Sequence, residues 1–391
     1  KYVARAFKSR LCRYEGTYRK YHSVNPSTQQ PWNNKYETAE DFLKEAVKAC
    51  EELINSKKFS LHKTYKELFT SEVIPTDEVI WSCQYSSALP KYHDLTWYFN
   101  SANYGQMYSP TAAFVNHYLK TDGKPVLDHH LTLANIYTGR DGRMAQTILA
   151  PGHTYVNGTK TLLKTPDMTM TRTGYCWIKY SIEDVNHYSK SLDPTSLPIF
   201  RYGEILLAYA EAKAELGQMD ETVWNQTIKL LRERAGVTSI YPGSASYVQD
   251  PWLQHYYNSV SPKPISDILL EIRRERVTEL VYENGNRVYD LYRWHCGDVI
   301  CRSWEGIWVD SMNPFTFQGA TYNLVTTGSP TATNIVIATS QAPLTWSLTE
   351  GDHGYLVYNN DSQWEEKYYT SPLPQSAMNV NPKLEQNILW K

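Results

Sequence analysis

The chain has 391 residues, enough to bury a large core either as one unit or as two or three smaller ones. Lysine and arginine number 39 against 41 aspartate and glutamate, and this near-neutral balance offers no basic field for a phosphate backbone, which argues against a nucleic-acid partner. Tyrosine (31) and tryptophan (12) far outnumber phenylalanine (9), so most rings carry a polar edge, as at binding faces that are dry on one side and wet on the other.

Residues 1–21 read as a helix with Val3, Phe7, Leu11 and Tyr14 on one stripe and basic residues between them. The segment looks like the middle of a helical region, and an upstream part is expected to be absent. Turn signals follow between Asn25 and Pro31. A second helix opens after Thr38, whose hydroxyl can cap it, and Phe42, Ala46, Ala49 and Leu53 recur at three- and four-residue steps. The two form a helical hairpin.

Residues 71–110 and 122–197 differ in kind, being rich in Gly, Pro, Asn, Thr and aromatics, with short β-prone runs such as VIWSCQY. The most regular helix lies in LPIFRYGEILLAYAEAKAELG, residues 197–217. Ile205, Tyr209 and Ala212 form one line, and Ala208, Ala210, Ala212 and Ala214 let a second helix approach closely. Gly217 ends it, Asp220 caps the next helix, and Trp224, Ile228 and Leu231 carry an apolar face to Gly236. The pair has about the size of one tetratricopeptide repeat of ~34 residues.

A further helix starts near Ser266 with Ile268, Leu269 and Ile272 inward. Arg273, Arg274 and Arg276 are expected mostly outward, pairing with glutamates along the flank at ~0.2–0.5 kcal/mol per pair. Residues 296–382 are irregular again and include the β-prone NIVIATS. One domain is expected, with helical repeats over 1–70 and 197–295, a loop-rich ligand face over 71–196, and an insertion plus C-terminal segment over 296–391. No run approaches the 18 apolar residues of a membrane-spanning helix. The six cysteines show no C-x-x-C pair; most read as small buried hydrophobes, and Cys296 and Cys301 alone are close enough for a local disulfide.

These segments, in order, resemble the SusD/RagB family. KYVARAFKSRLCRYEG is similar to the start of its third helical repeat, TDGKP to its glycine turn, and GRDGRMAQTI to its D-x-R segment. LPIFRYGEILLAYAEAKAELG and IRRERVTELVYENGNRVYDLYRW resemble its two signatures, and PLPQSAMNVNPKLEQNILW its ending. The resemblance implies a mainly α fold of tetratricopeptide-like helix pairs, an α-α superhelix with large loop-rich and short-β elaborations. It also implies an outer-membrane lipoprotein, anchored by an N-terminal lipid absent from this chain, that serves as a lid on a SusC-like TonB-dependent transporter and binds an oligosaccharide or polysaccharide. Residues 296–345 depart from the family pattern as an insertion.

A sugar binder needs rings that stack on the apolar face of a pyranose, with polar groups beside them. In the family the stretch before the glycine turn is the main source of such rings, which points to Tyr92, Trp97, Tyr98, Tyr104 and Tyr108, with weaker polar candidates His93, Asn100 and Asn103. Against this, large aromatics are often core, and Trp97 and Tyr98 in a strand would face opposite ways, making one of them structural. Trp304, Trp308, Phe315 and Tyr322 form a second cluster, more simply read as packing within the insertion.

Asp128, His129 and His130 invite a metal reading, but consecutive histidines rarely converge on one ion, and a surface or hydrogen-bonded role is preferred. Neither a metal site nor a cofactor is assigned, and a structural calcium ion is left open. Arg201 with Glu204, or Glu211 with Glu215, could form catalytic pairs; Glu211 and Glu215, four apart on a helix, could raise a carboxyl pKa by repulsion. Helix–helix scaffolding explains them more simply. Peptide binding, as in RagB-like members, is the competing ligand class, and a glycoside hydrolase would need two carboxyls ~5–9 Å apart that no motif designates.

Overall fold

The computed structural model describes the chain apart from residues 34, 36, 102, 103 and 339–345. Tyr2–Tyr21 and Ala39–Ile54 form an antiparallel hairpin, tied by the ion pairs Arg5–Glu52 and Lys8–Glu45. Thr38 caps the second helix reciprocally: its hydroxyl accepts from the Asp41 amide at 3.2 Å, and the Asp41 carboxylate accepts from the Thr38 amide at 2.9 Å.

The first helix turns a different face inward from the one its apolar stripe indicates. Phe7 and Leu11 are 56% and 52% exposed, while Ala6, Ser9, Cys12, Arg13, Gly16 and Thr17 are buried. Close packing decides this. A Cβ at Gly16 would lie 2.8 Å from Cγ of Leu43, so the contact face must carry small residues while Leu43, Ala46 and Cys50 of the partner fill the space.

Strand Leu197–Arg201 pairs antiparallel with Val79–Cys83 and runs directly into helix Tyr202–Glu215. That helix is buried on nearly every side, between Ala39–Ile54 and helix Asp267–Glu279. Its alanines Ala208, Ala210 and Ala212 join Leu43, Leu53, Trp224, Ile228, Leu231 and Ile272 in the principal core. Asp220 caps Glu221–Gln226 as expected. The chain then breaks at Thr227 (φ -131, ψ -86) and resumes as Ile228–Arg234, so two short helices stand where the apolar periodicity indicates one.

A second core gathers Tyr118, Met144 and Ile178 of the loop-rich segment with Ile307, Tyr322 and Trp346. Here residues 304–358 form two small sheets: Trp304–Val309, Gly354–Tyr358 and Trp346–Leu348 in one, and Phe315–Phe317, Ala320–Val325 and Asn334–Val336 in the other. Residues 304–338 and 346–358 thus share a core with the loop-rich segment. Cys12, Cys50, Cys176 and Cys296 are buried, and Cys296 and Cys301 are unbonded.

The largest departure from expectation concerns the arginines. Arg273, Arg274 and Arg276 are each at most 2% exposed. Charges taken out of water must find partners, and Arg274 and Arg276 find theirs mostly across elements rather than along the flank, while Arg273 lies against the rings of Tyr21, Tyr257 and Trp294 with no carboxylate partner among the described residues. Arg276 donates to Asp290 (2.7 and 2.9 Å), and Arg274 to Asp250 (2.5 Å) and to Glu271 on its own helix (3.3 Å).

A larger network centres on Arg201. Its guanidinium donates to Glu78 (2.8 Å), Glu279 (2.5 Å) and Glu283 (2.8 Å), all almost fully buried. Lys179 adds bonds to Glu283 (2.6 Å), the Val281 carbonyl (2.7 Å) and the Tyr65 hydroxyl (2.9 Å). Arg143 joins through Asp141, Glu275 and Glu279. Glu204, for its part, pairs with Arg10 rather than Arg201.

Glu211 also departs from the repulsion argument. Burial pushes its carboxyl up, but Arg293, Arg13 and Arg276 outweigh that and hold it at about 2.

Two predictions follow from these pairings. Replacing Arg201 by Met leaves three buried carboxylates short of a partner and should destabilise the fold by about 3–5 kcal/mol, whereas Lys44→Ala, which loses only an exposed pair with Glu40, should leave the unfolding midpoint essentially unchanged; urea unfolding measures both. Because the folded-state pKa of Glu211 lies below its ordinary value of 4.5, its stabilisation is complete above that value and is lost as pH falls toward about 2. The melting temperature should therefore drop over that acid window, and less steeply in Glu211→Gln.

Candidate functional site

Helix Leu95–Phe99 is pinned at its start by Asp193, whose carboxylate accepts from the amide and hydroxyl of Thr96 at 3.0 and 2.6 Å. Trp97 and Tyr98 therefore sit on a helix rather than a strand, about 100° apart, and both are half-buried contributors to one surface. Tyr104 lies over them, its ring centroid 4.6 Å from Trp97 and 6.1 Å from Tyr98. Lys190 places its ammonium 4.4 Å above the Trp97 ring. Tyr104 is 43% and Tyr108 63% exposed, so the cluster is a supported, wet-edged aromatic platform.

Gly105 makes this close packing possible, since a Cβ there would lie 2.5 Å from the Tyr98 ring. Its neighbour Gln106 is buried and donates to the carbonyls of Phe99 (2.8 Å) and Trp177 (2.9 Å), fixing the short 3-10 turn Gly105–Tyr108.

The polar candidates serve the framework instead. His93 bonds the Thr195 carbonyl at 2.8 Å through Nε2 and accepts from the Leu95 amide at 3.1 Å. Asn100 donates to the Thr96 carbonyl and Ser181 hydroxyl and accepts from Lys164, each at 2.8 Å. Tyr92 directly follows the turn closed by Ser86 and Lys91, and its phenol donates back to the Ser87 carbonyl at 3.4 Å. Asn103 lies outside the described residues. The structure thus brings together Trp97, Tyr98, Tyr104 and Tyr108, and leaves Tyr92, His93 and Asn100 in supporting positions.

One ring escapes the sequence reading. Tyr282 sits edge-on to Phe99 (5.1 Å) and Trp177 (5.2 Å), and its phenol is pushed up to about 12 by burial and then by Tyr98 and Tyr108, its neighbours on the platform. Its φ of +61 is rare for a bulky residue. The turn is held on both sides: the Val281 carbonyl accepts from Lys179, and Glu283 is gripped by Arg201 and Lys179. The buried network therefore sets the backbone that presents Tyr282. The Asn-Gly dipeptide two residues on was the available sign of an irregular turn here.

Beyond Tyr282 opens a cleft of about 530 Å³. Pro110, Phe114, Trp177, Val281 and Val288 make its walls largely apolar, and Arg276, Asn286, Arg287 and Asp290 form a polar side. The Trp177 indole donates to the Tyr108 carbonyl at 2.7 Å, so platform and cleft share one support.

The other candidates fall elsewhere. Trp304 stacks on Tyr358 (5.5 Å), Phe315 on Tyr322 (5.2 Å) and Trp308 on His130 (4.0 Å). His130 is thereby engaged in ring packing, and among the described residues no group of three or more His, Cys, Asp or Glu is arranged to hold a metal ion. No described helix is long and apolar enough to cross a membrane.

The SusD family profile matches residues 77–390, and the chain belongs to that family. Solved structures agree on the fold. A SusD-like protein of Bacteroides fragilis superposes with a TM-score of 0.62 at 17% identity, over 99% of this chain and 65% of the other. A SusD-like carbohydrate-binding protein of the same species gives 0.59 at 20% identity, over 98% and 64%. A SusD superfamily protein of Parabacteroides distasonis gives 0.52 at 17% identity, over 99% and 62%. The chain thus spans less than two thirds of each of these relatives. No curated protein matches it.

The platform's dependence on Gly105 is testable: Gly105→Ala should force Tyr98 aside and cost about 1–3 kcal/mol in urea unfolding, with a changed near-ultraviolet circular dichroism signal from the displaced rings.

Proposed function

We propose that this chain is a non-catalytic glycan-binding protein whose Trp97–Tyr98–Tyr104–Tyr108 platform, extended by Tyr282, holds an oligosaccharide. The carrying observation is a cluster of half-buried and exposed rings held together by packing and by the close approach that Gly105 allows. The C–H face of a pyranose is apolar and slightly electropositive and meets the electron-rich face of an aromatic ring, while phenol edges hydrogen-bond the hydroxyls. Because the rings are already ordered, little conformational entropy is lost on binding.

A binding role without catalysis is supported by Asp94, Asp193 and Glu283, carboxylates beside the platform residues in sequence or in contact with their helix, which are engaged in structure. Asp94 accepts from the Ser191 amide at 2.7 Å, and Asp193 accepts from Thr96 and Thr195. Hydrolysis would require two carboxyls facing the sugar from opposite sides. Membership of the SusD family, and the carbohydrate-binding relative in particular, supports a glycan as the ligand. The same kinship supports a place at the cell surface, lipid-anchored in the outer membrane, handing the glycan to a SusC-like TonB-dependent transporter.

Affinity electrophoresis and titration calorimetry against a polysaccharide panel test the reading. At least one glycan should be retained, and Trp97→Ala with Tyr104→Ala should weaken it by at least about tenfold per ring removed while the melting temperature stays within a few degrees. Failure to retain any glycan, or release of shortened products, would overturn it.

A further inference from the structure

The polar side of the cleft offers donors without acceptors. Nη1 of Arg276 and Nδ2 of Asn286 are buried and unpartnered, on residues 2% and 5% exposed. Arg287 faces the same space. Its guanidinium donates to the phenols of Tyr257 (2.8 Å) and Tyr256 (3.2 Å), and no carboxylate pairs with it among the described residues.

The acids in the wall do not compensate. Glu283 is held by Lys179 (2.6 Å) and Arg201 (2.8 Å), and Asp290 by Arg276 (2.7 Å) and Arg293 (2.8 Å). Behind them three cations, Arg13, Arg276 and Arg293, share two anions, Glu211 and Asp290. The surplus is felt by its neighbours: burial and then Arg276 and Arg293 pull the Arg13 guanidinium down to about 10, and burial and then Arg287 and Arg274 push the His117 imidazole in the cleft wall well below its ordinary value. An unpaired buried donor is costly, and low-dielectric walls concentrate a positive field. Both conditions are relieved by an anion.

We propose that the cleft takes the carboxylate of an acidic sugar, a uronate residue of the glycan lying on the platform, with Arg287, Asn286 and the spare edge of Arg276 as its donors. The proposal rests on the glycan reading and narrows it to one class of ligand. Tyr282 stands between platform and cleft, so a chain stacked on Tyr104 and Tyr108 passes the mouth, where Phe114, Val281 and Val288 meet the sugar's apolar face and the arginine side meets its carboxylate. Guanidinium and carboxylate match in a charge-assisted geometry.

The test uses the whole chain and uronate oligosaccharides of the galacturonate and glucuronate series, each as free acid and as methyl ester, in titration calorimetry at low and at about 0.5 M salt. At least one free acid should bind about tenfold or more tighter than its ester, with a gap that shrinks in salt. Arg287→Gln should abolish the preference. Val288→Trp, which narrows the mouth from an exposed position and leaves the arginines intact, should do the same, and both variants are checked for an unchanged melting profile. Equal binding of acid and ester, or a preference that survives Val288→Trp in a folded protein, overturns this inference and leaves the glycan reading standing. Binding of neutral glycans alone does likewise. If no glycan of either kind is retained, both fail, and selective capture of a peptide with a free C-terminal carboxylate would assign the cleft to peptides instead.

Discussion

The buried ion network around Arg201, Glu279 and Glu283 is the constraint on which the rest of the structure depends. It joins strand Leu197–Arg201, the end of helix Asp267–Glu279, Glu78 and Lys179, segments that are remote in sequence and whose flanking residues Val79, Trp177, Tyr180 and Val281 pack into one apolar cluster around it. Ion pairs of this kind roughly break even against their desolvation, so their value here lies in register: each carboxylate must find its own arginine or remain a buried charge. The free energy comes from elsewhere, chiefly from the alanine-lined helix Tyr202–Glu215 packed between its neighbours. The network decides how that packing is oriented, and through Lys179 and Glu283 it fixes the left-handed turn that carries Tyr282.

This division of labour explains how loop-rich segments can hold rings firmly enough to bind. Leu95–Phe99 and the turn at Gly105 are short and would not persist alone. They persist because Asp193, Gln106 and Asn100 connect them to buried backbone at several points. Asn100, one of the polar residues that a sequence reading assigns to the ligand, is among those that hold the aromatic segment in place.

Much of the helical frame is legible in the sequence because its signals are local. The Thr38 cap, the Asp220 cap and the close-packed alanines all act over three or four residues. The face of the first helix is misread because apolar periodicity registers hydrophobicity and takes no account of how closely a partner helix approaches Gly16. The arginines are misread for a related reason. Residues 270–280 are buried all round, so their helix has no solvent side for charge to occupy, and the carboxylates that admit Arg274 and Arg276 include Asp250 and Asp290, on other elements. On the site, Trp97, Tyr98, Tyr104 and Tyr108 are visible as a run of rings. Tyr282 and the cleft arise from distant segments meeting, which no window of the sequence contains.

The central claim is that a glycan rests on the platform fixed by this frame. The most direct measurement is the set of indole N–H resonances of the 12 tryptophans, recorded on protein labelled with nitrogen-15 at tryptophan and titrated to saturation with a bound oligosaccharide. The account predicts that the Trp97 signal shifts strongly, that Trp177 beside the cleft moves less, and that Trp224 and Trp294 in the cores stay fixed. An unmoved Trp97 in a fully saturated protein would contradict it.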